Sequence, residues 1–200
     1  MTVAKLRGHA PRSLALKPGK LGNFQTALLG KIRPALTAAA APMLRVRAAL
    51  RQELAGLEKL VRQMAFEDPI CLRLMTMPGV GAVVALTFRS AVDDPSRFRS
   101  SKNVGPWVGL TPSRSQSGER DVSGGITKAG DVNLRRALCQ AATVMLNRGR
   151  GNALRTWASH VAKRRGRKRA MVALARRIAV VLHRMWVDGS TFRMEVAPTN

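Results

Sequence analysis

Acidic residues are scarce in this 200-residue chain: eleven Asp and Glu stand against thirty-five Lys and Arg, and none precedes Glu53. The formal charge of +24 would push a compact fold apart unless a polyanion offset it, and the pI of about 11.9 lies where basic proteins meet nucleic acid. Cysteine is nearly as rare. Cys71 and Cys139 lie far apart in apolar helical patterns, which excludes a disulfide framework and predicts buried thiols in a reducing compartment. His9, His160 and His183 are scattered, and no metal-ligand spacing links them to either cysteine, so neither a structural zinc nor any metal-binding residue is expected. No apolar window is long enough to span a bilayer, and the basic N-terminus has no signal-type apolar segment. The chain is expected to be cytoplasmic and nucleoid-associated, with no membrane partner. Strand-like alternation is also missing, and the fold is expected to be all-α.

What is present centres on Gly109 to Arg136. Between two helical patterns, Pro112 to Asp131 has almost no apolar periodicity and mixes serines, cations and glycines. A loop of about twenty residues within a compact domain is usually functional. Its composition suits phosphate. Hydroxyls and glycine-exposed N–H groups approach an anion, while Arg114, Arg120 and Lys128 position and neutralise it. Asp131 is the expected N-cap of the helix that follows, whose N-terminus adds attraction for anions.

In chain order, residues 1–35 read as a poorly ordered basic arm. Residues 36–68 read as a coiled-coil-type helix, because Met43, Leu50, Leu54, Leu57, Val61 and Met64 recur at steps of three and four, with Arg47 interrupting. Self-association through residues 43–64 is expected, and an amphipathic helix packed in cis is the alternative. Residues 69–193 form the next expected domain, with a tail over 194–200. Its first part, Ile70 to Val92, contains Met77-Pro78-Gly79-Val80-Gly81 and is similar to a helix-hairpin-helix, in which Gly79 and Gly81 would let backbone N–H groups meet a DNA phosphate. Asp93-Asp94-Pro95-Ser96 signals a turn and cap, and a helix should run from near Ser101 to Val108 with Trp107 in the core. Further helices are expected over Val132–Asn147, Ala153–Lys163 and Ala170–Val187. Between the last two, Lys163, Arg164, Arg165, Arg167, Lys168 and Arg169 form a cation run of the kind that tracks a nucleic-acid backbone. His183 reads as a satisfied, half-buried histidine and not as a base.

The order of these motifs resembles the C-terminal half of transposases of the insertion sequence 110 group. The resemblance covers residues 35–193 and rests on the coiled-coil arm, Met-Pro-Gly-Val-Gly, Asp-Asp-Pro-Ser-Arg-Phe, Val-Gly-Leu-Thr-Pro, Gln-Ser-Gly-Glu, Gly-Ile-Thr-Lys-Ala-Gly-Asp and the closing His-Arg-Met-Trp. It implies a DNA recombinase with a nucleophilic serine, here Ser117, acting in DNA transposition with a guide RNA as partner. Ser115 and Ser123 are the competing hydroxyls. A serine hydroxyl that attacks a phosphodiester holds the broken strand as a phosphoserine, and it needs activation together with cations around the phosphoryl oxygens.

The resemblance also implies an N-terminal RuvC-like domain with an acidic tetrad, whose carboxylates would hold Mg²⁺. The present sequence is expected to lack that domain, through truncation or a late start, or because another polypeptide supplies it. No cofactor is then expected on this chain itself. The alternative function is a non-catalytic nucleic-acid-binding remnant of such a transposase.

Overall fold

Where apolar residues recur every three or four positions, the backbone is helical. The computed structural model describes residues 34–117, 120–148 and 151–193. The basic arm up to residue 33, Gly118-Glu119 and the tail over 194–200 lie outside the described residues, as do the side chains of residues 34–39 and 115–123. The elements are α1 (Pro34–Glu67), α2 (Pro69–Leu74), α3 (Ala82–Val92), two 3-10 turns (Pro95–Arg97 and Ser101–Asn103), α4 (Val104–Trp107), β1 (Pro112–Ser117), β2 (Arg120–Ile126), α5 (Val132–Arg148), α6 (Ala153–Arg165) and α7 (Arg167–Val187). Among the described residues the fold is all-α apart from one two-stranded antiparallel ribbon. No helix among the described residues is long and apolar enough to cross a membrane.

The chain divides into two units, one ending at Glu58 and one beginning at Lys59. In the first, α1 leaves Met43, Val46, Leu50, Leu54 and Leu57 more than half exposed. Leu60 and Met64 on its later turns, in the second unit, are exposed to the same degree.

The second unit has a closed core. The buried face of α7, with Leu174, Ile178, Leu182 and Met185, meets Leu134, Leu138 and Met145 of α5, and Phe88 and Val92 of α3 complete the centre. Full burial of such side chains contributes roughly 1.5–3 kcal/mol each. Local chemistry sets the boundaries. Asp68 caps α2 through Ile70 N at 2.7 Å and Cys71 N at 3.2 Å, with Pro69 in the first turn. Asp94 caps the first 3-10 turn, accepting from Ser96 N at 2.8 Å and from Ser96 Oγ at 2.6 Å. These bonds hold its carboxyl below the ordinary value. Asn152 caps α6 through Arg155 N at 2.8 Å.

Two helices and the burial of one side chain differ from the sequence expectation. The helix expected from Ser101 to Val108 is a 3-10 turn followed by α4, with Ser100 capping the turn through Lys102 N. Trp107 is only partly buried, and it packs edge-on against Phe98 at 5.1 Å. The last helix begins at Arg167, three residues early, because Gly166 takes a positive φ of 83° and restarts the chain at once after α6.

His183 is buried, beyond the half-burial expected of it. Its Nε2 lies 3.0 Å from the Pro95 carbonyl and its Nδ1 lies 2.9 Å from Ser101 Oγ. A carbonyl only accepts, so Nε2 carries the proton and Nδ1 is free to accept from the serine. The ring thereby joins both 3-10 turns to α7. The Cys71 thiol is pushed up to about 11 by burial, then by the nearby Asp68 carboxylate, and is therefore protonated at neutral pH. Burial also raises the half-buried Cys139, while Arg135 opposes that rise.

Candidate nucleic-acid interface

The segment expected to be a long basic loop is largely a β-ribbon. Pro112 pairs with Ile126, Arg114 with Ser123, Ser115 with Val122, Gln116 with Asp121 and Ser117 with Arg120, with an irregularity between Pro112 and Arg114. Ladder hydrogen bonds stabilise the pair without an apolar face, which explains why hydropathy carried no trace of it. Gly124 has a local reason, since a Cβ there would lie 2.6 Å from Ser113 Oγ, which donates to the Gly125 carbonyl at 2.9 Å.

The base of the ribbon is tied to the helical body. Thr127 N donates to the Thr111 carbonyl at 2.9 Å and Lys128 N to the Gly109 carbonyl at 3.2 Å. Arg135 of α5 donates to the Val108 carbonyl at 2.9 Å and to the Ala129 carbonyl at 2.7 Å, one on each side of the ribbon. Asp131 caps α5 as expected, accepting from Leu134 N at 2.6 Å. Gly109 and Gly130 have positive φ of 74° and 70°, and a Cβ on either would collide with the opposite backbone. Lys128 also has a positive φ, 58°, a conformation that L-residues adopt at a cost.

Ser117 thus ends β1 with Arg120 as its cross-strand partner, while exposed Arg114 lies nearer the base and Lys128 beyond the end of β2. The cation run falls on two helix ends. Lys163, Arg164 and Arg165 form the last turn of α6, where the helix dipole favours them. Arg167, Lys168 and Arg169 occupy the first turn of α7, where it opposes them and no acidic residue offsets the charge. That arrangement concentrates positive potential at one point and suits a bound anion. Arg167 also hydrogen-bonds Asn147 on α5.

Gly79 and Gly81 lie in the turn between α2 and α3. Gly79, at φ 87°, faces inward, and a Cβ would lie 2.5 Å from the Ala141 carbonyl of α5. Its glycine is required by packing. Gly81 is the N-cap of α3, is exposed, and has no atom within 4 Å of a Cβ built there.

Sequence reasoning missed a groove. Between the ribbon base, α6 and α7 lies a cavity of about 1130 Å³, with Lys102, Arg165, Lys168, Arg169, Arg176 and Arg177 around it. No carboxylate among the described residues lines it. Lys102 and the Arg176-Arg177 pair escaped notice because they stand apart from the cation run in sequence and meet it only in the fold. As to Mg²⁺, among the described residues no three His, Cys, Asp or Glu side chains converge, so they do not fit such a centre.

A helical body carrying a tethered ribbon beside a cationic groove is the setting, and the proteins this chain is similar to are transposases of mobile elements. Residues 71–158 match the family model described as the transposase IS116/IS110/IS902 family, and through this stretch the chain belongs to that family. It is 32% identical over 138 residues to the transposase for insertion sequence element IS1111A of Coxiella burnetii, covering 68% of this chain and 38% of that protein. It is 28% identical over 145 residues to the transposase for IS1328 of Yersinia enterocolitica, covering 72% of this chain and 43% of that protein. The chain therefore spans about two fifths of the length of these relatives.

Proposed function

We propose that this chain is the serine-bearing part of an insertion-sequence transposase, which binds DNA and supplies Ser117 as the nucleophile for strand cleavage and exchange. The observation that carries this reading is the position of Ser117. It ends a strand whose base is tied to α5 by Arg135, and its register partner is a cation. Partners across an antiparallel ladder lie about 4.5–5.5 Å apart at Cα, so the backbone of Arg120 is within one side chain's reach of a phosphate at Ser117.

In the proposed step the serine proton passes to a general base, the Ser117 oxygen forms a bond to phosphorus, and the bond from phosphorus to one DNA oxygen breaks. That oxygen leaves as a strand-end hydroxyl after taking up a proton. A hydroxyl of another strand then reverses the chemistry and releases the serine. Arg114, Arg120 and Lys128 are assigned to the charge on the phosphoryl oxygens. The cation run from Lys163 to Arg169 holds flanking phosphates, and the exposed N-terminus of α3 at Gly81 offers a further phosphate contact of the helix-hairpin-helix kind. A guide RNA is a proposed second partner, on the resemblance alone.

The test uses end-labelled DNA carrying the element's own termini, with and without the acidic N-terminal domain of a relative supplied in trans. Wild-type protein is expected to leave a covalent protein–DNA band on a denaturing gel, which Ser117→Ala abolishes and Ser115→Ala and Ser123→Ala retain. A band that persists in Ser117→Ala sinks the assignment. Equal non-covalent binding by both proteins, with no band under either condition, favours the non-catalytic remnant.

Self-association through residues 43–64 belongs to the same proposal, because an exposed apolar row on a long helix is stabilised by pairing. Replacing Leu50 and Leu57 by Glu is expected to shift the sedimentation profile to monomer. An unchanged profile would remove the arm from the interface.

A further inference from the structure

The cations around the groove account for phosphate, but its floor does not. Leu110, Ile126, Leu154, Trp157, Val172 and Val181 also line it, and apolar surface of this kind gains nothing from a duplex, whose base faces are already stacked. A ligand that covers this floor and also satisfies six surrounding cations must present flat apolar faces beside regularly spaced negative charges. Unpaired nucleotides have that chemistry.

A second feature agrees. The guanidinium of Arg177 lies 3.8 Å from the centroid of the Trp157 ring, so the indole holds a planar cation in place at the groove. Guanidinium planes and indole rings are surfaces on which splayed bases stack. At the ribbon base, Gly124 and Gly125 line the groove without side chains, and a Cβ at Gly125 would meet nothing within 4 Å, which leaves the mouth open. The floor also bears on the sugar. A 2′-hydroxyl seated against it would lose water without gaining a partner, which favours deoxyribose.

We infer that this groove binds an unpaired DNA strand, with bases on the apolar floor and the Trp157–Arg177 stack, and phosphates on Arg165, Lys168, Arg169 and Arg176. The inference rests on the reading of this chain as a DNA-binding transposase part and names the strand state that this surface takes. Pro112 lines the groove and Ser117 lies at the other end of the same strand, so five residues, about 16 Å at the rise of a β-strand, separate the seated strand from the proposed nucleophile.

The experiment compares the whole chain with Arg177→Lys, which keeps the charge of an exposed residue but removes its plane, and with Trp157→Ala, its fold checked by circular dichroism. Fluorescence anisotropy is read on a labelled 12-nucleotide oligothymidylate, on an oligouridylate of the same length, and on a DNA duplex at one salt concentration. Both variants are expected to lose roughly five- to a hundredfold in affinity for oligothymidylate, the range for losing one base stack, while duplex affinity stays within twofold. Oligouridylate is expected to bind the wild type more weakly than oligothymidylate. Equal losses on oligothymidylate and duplex, or no loss on either, would overturn the groove assignment and leave duplex binding intact. Tighter binding of oligouridylate overturns the choice of DNA, and displacement of oligothymidylate only by an acidic amphipathic peptide makes the groove a protein-docking surface. Failure of every nucleic acid to bind would remove the parent reading as well.

Discussion

Gly130→Ala is expected to detach the ribbon from the helical body while the core stays folded. A Cβ at this position would sit 2.1 Å from the Trp107 carbonyl oxygen, a backbone atom that no side-chain rotation can move. The positive φ of 70° adds to the cost. Left-handed backbone costs a non-glycine residue about 1–2 kcal/mol, and overpacking about 1–3 kcal/mol more. The sum is enough to open the neighbouring bonds, Lys128 N to Gly109 and Arg135 to Ala129. Hydrogen exchange would show protection lost over Thr111–Ile126 and kept in α5 and α7. Gly56→Ala is the control. Its Cβ meets nothing within 4 Å in a helix interior, so alanine should stabilise α1 by about 1 kcal/mol. If both substitutions leave ribbon protection unchanged, the glycine does not hold the base closed.

Steep salt dependence is the second large effect expected. If Lys163, Arg164, Arg165, Arg167, Lys168 and Arg169 each neutralise one phosphate of a duplex, log affinity falls against log salt with a slope of about −5. Affinity then drops roughly a thousandfold between about 50 and 200 mM salt. Replacing Lys163, Arg164 and Arg167 by glutamine should make that slope shallower by about 2.7, since each contact contributes about 0.9. These three lie outside the groove lining, so their removal should weaken duplex binding more than binding of the unpaired strand. A slope unaltered by the triple substitution would mean that the run faces solvent.

The helices could be read because burial on one face leaves an apolar period, and Leu134, Leu138 and Met145 of α5 repeat at that spacing against α7. Asp131 and Asp94 were legible as caps because a side-chain oxygen followed closely by amide donors is a local arrangement. The ribbon was not legible in hydropathy. Its strands, Pro-Ser-Arg-Ser-Gln-Ser and Arg-Asp-Val-Ser-Gly-Gly-Ile, pair through the backbone, which has no hydropathy signature. One signal was available elsewhere: Gly166 within the cation run was a sign that two helices meet there. Half of the groove's cations were evident as Arg165, Lys168 and Arg169. The others, and the Trp157–Arg177 stack, depend on how α6 lies along α7, which side-chain packing decides and local sequence does not record.

Arg135 carries a warning for anyone reading function from charge. It contributes to the +24 as fully as any surface arginine, yet its guanidinium is engaged with the Val108 and Ala129 carbonyls. Arg89 is similar, 3.6 Å from Asp68 and stacked 4.6 Å over Trp186. An alanine scan of the arginines would find both sensitive and would count them as lost grip on DNA. They are mortar, and the cations that meet the ligand are those whose removal changes the salt slope and leaves the melting curve where it was.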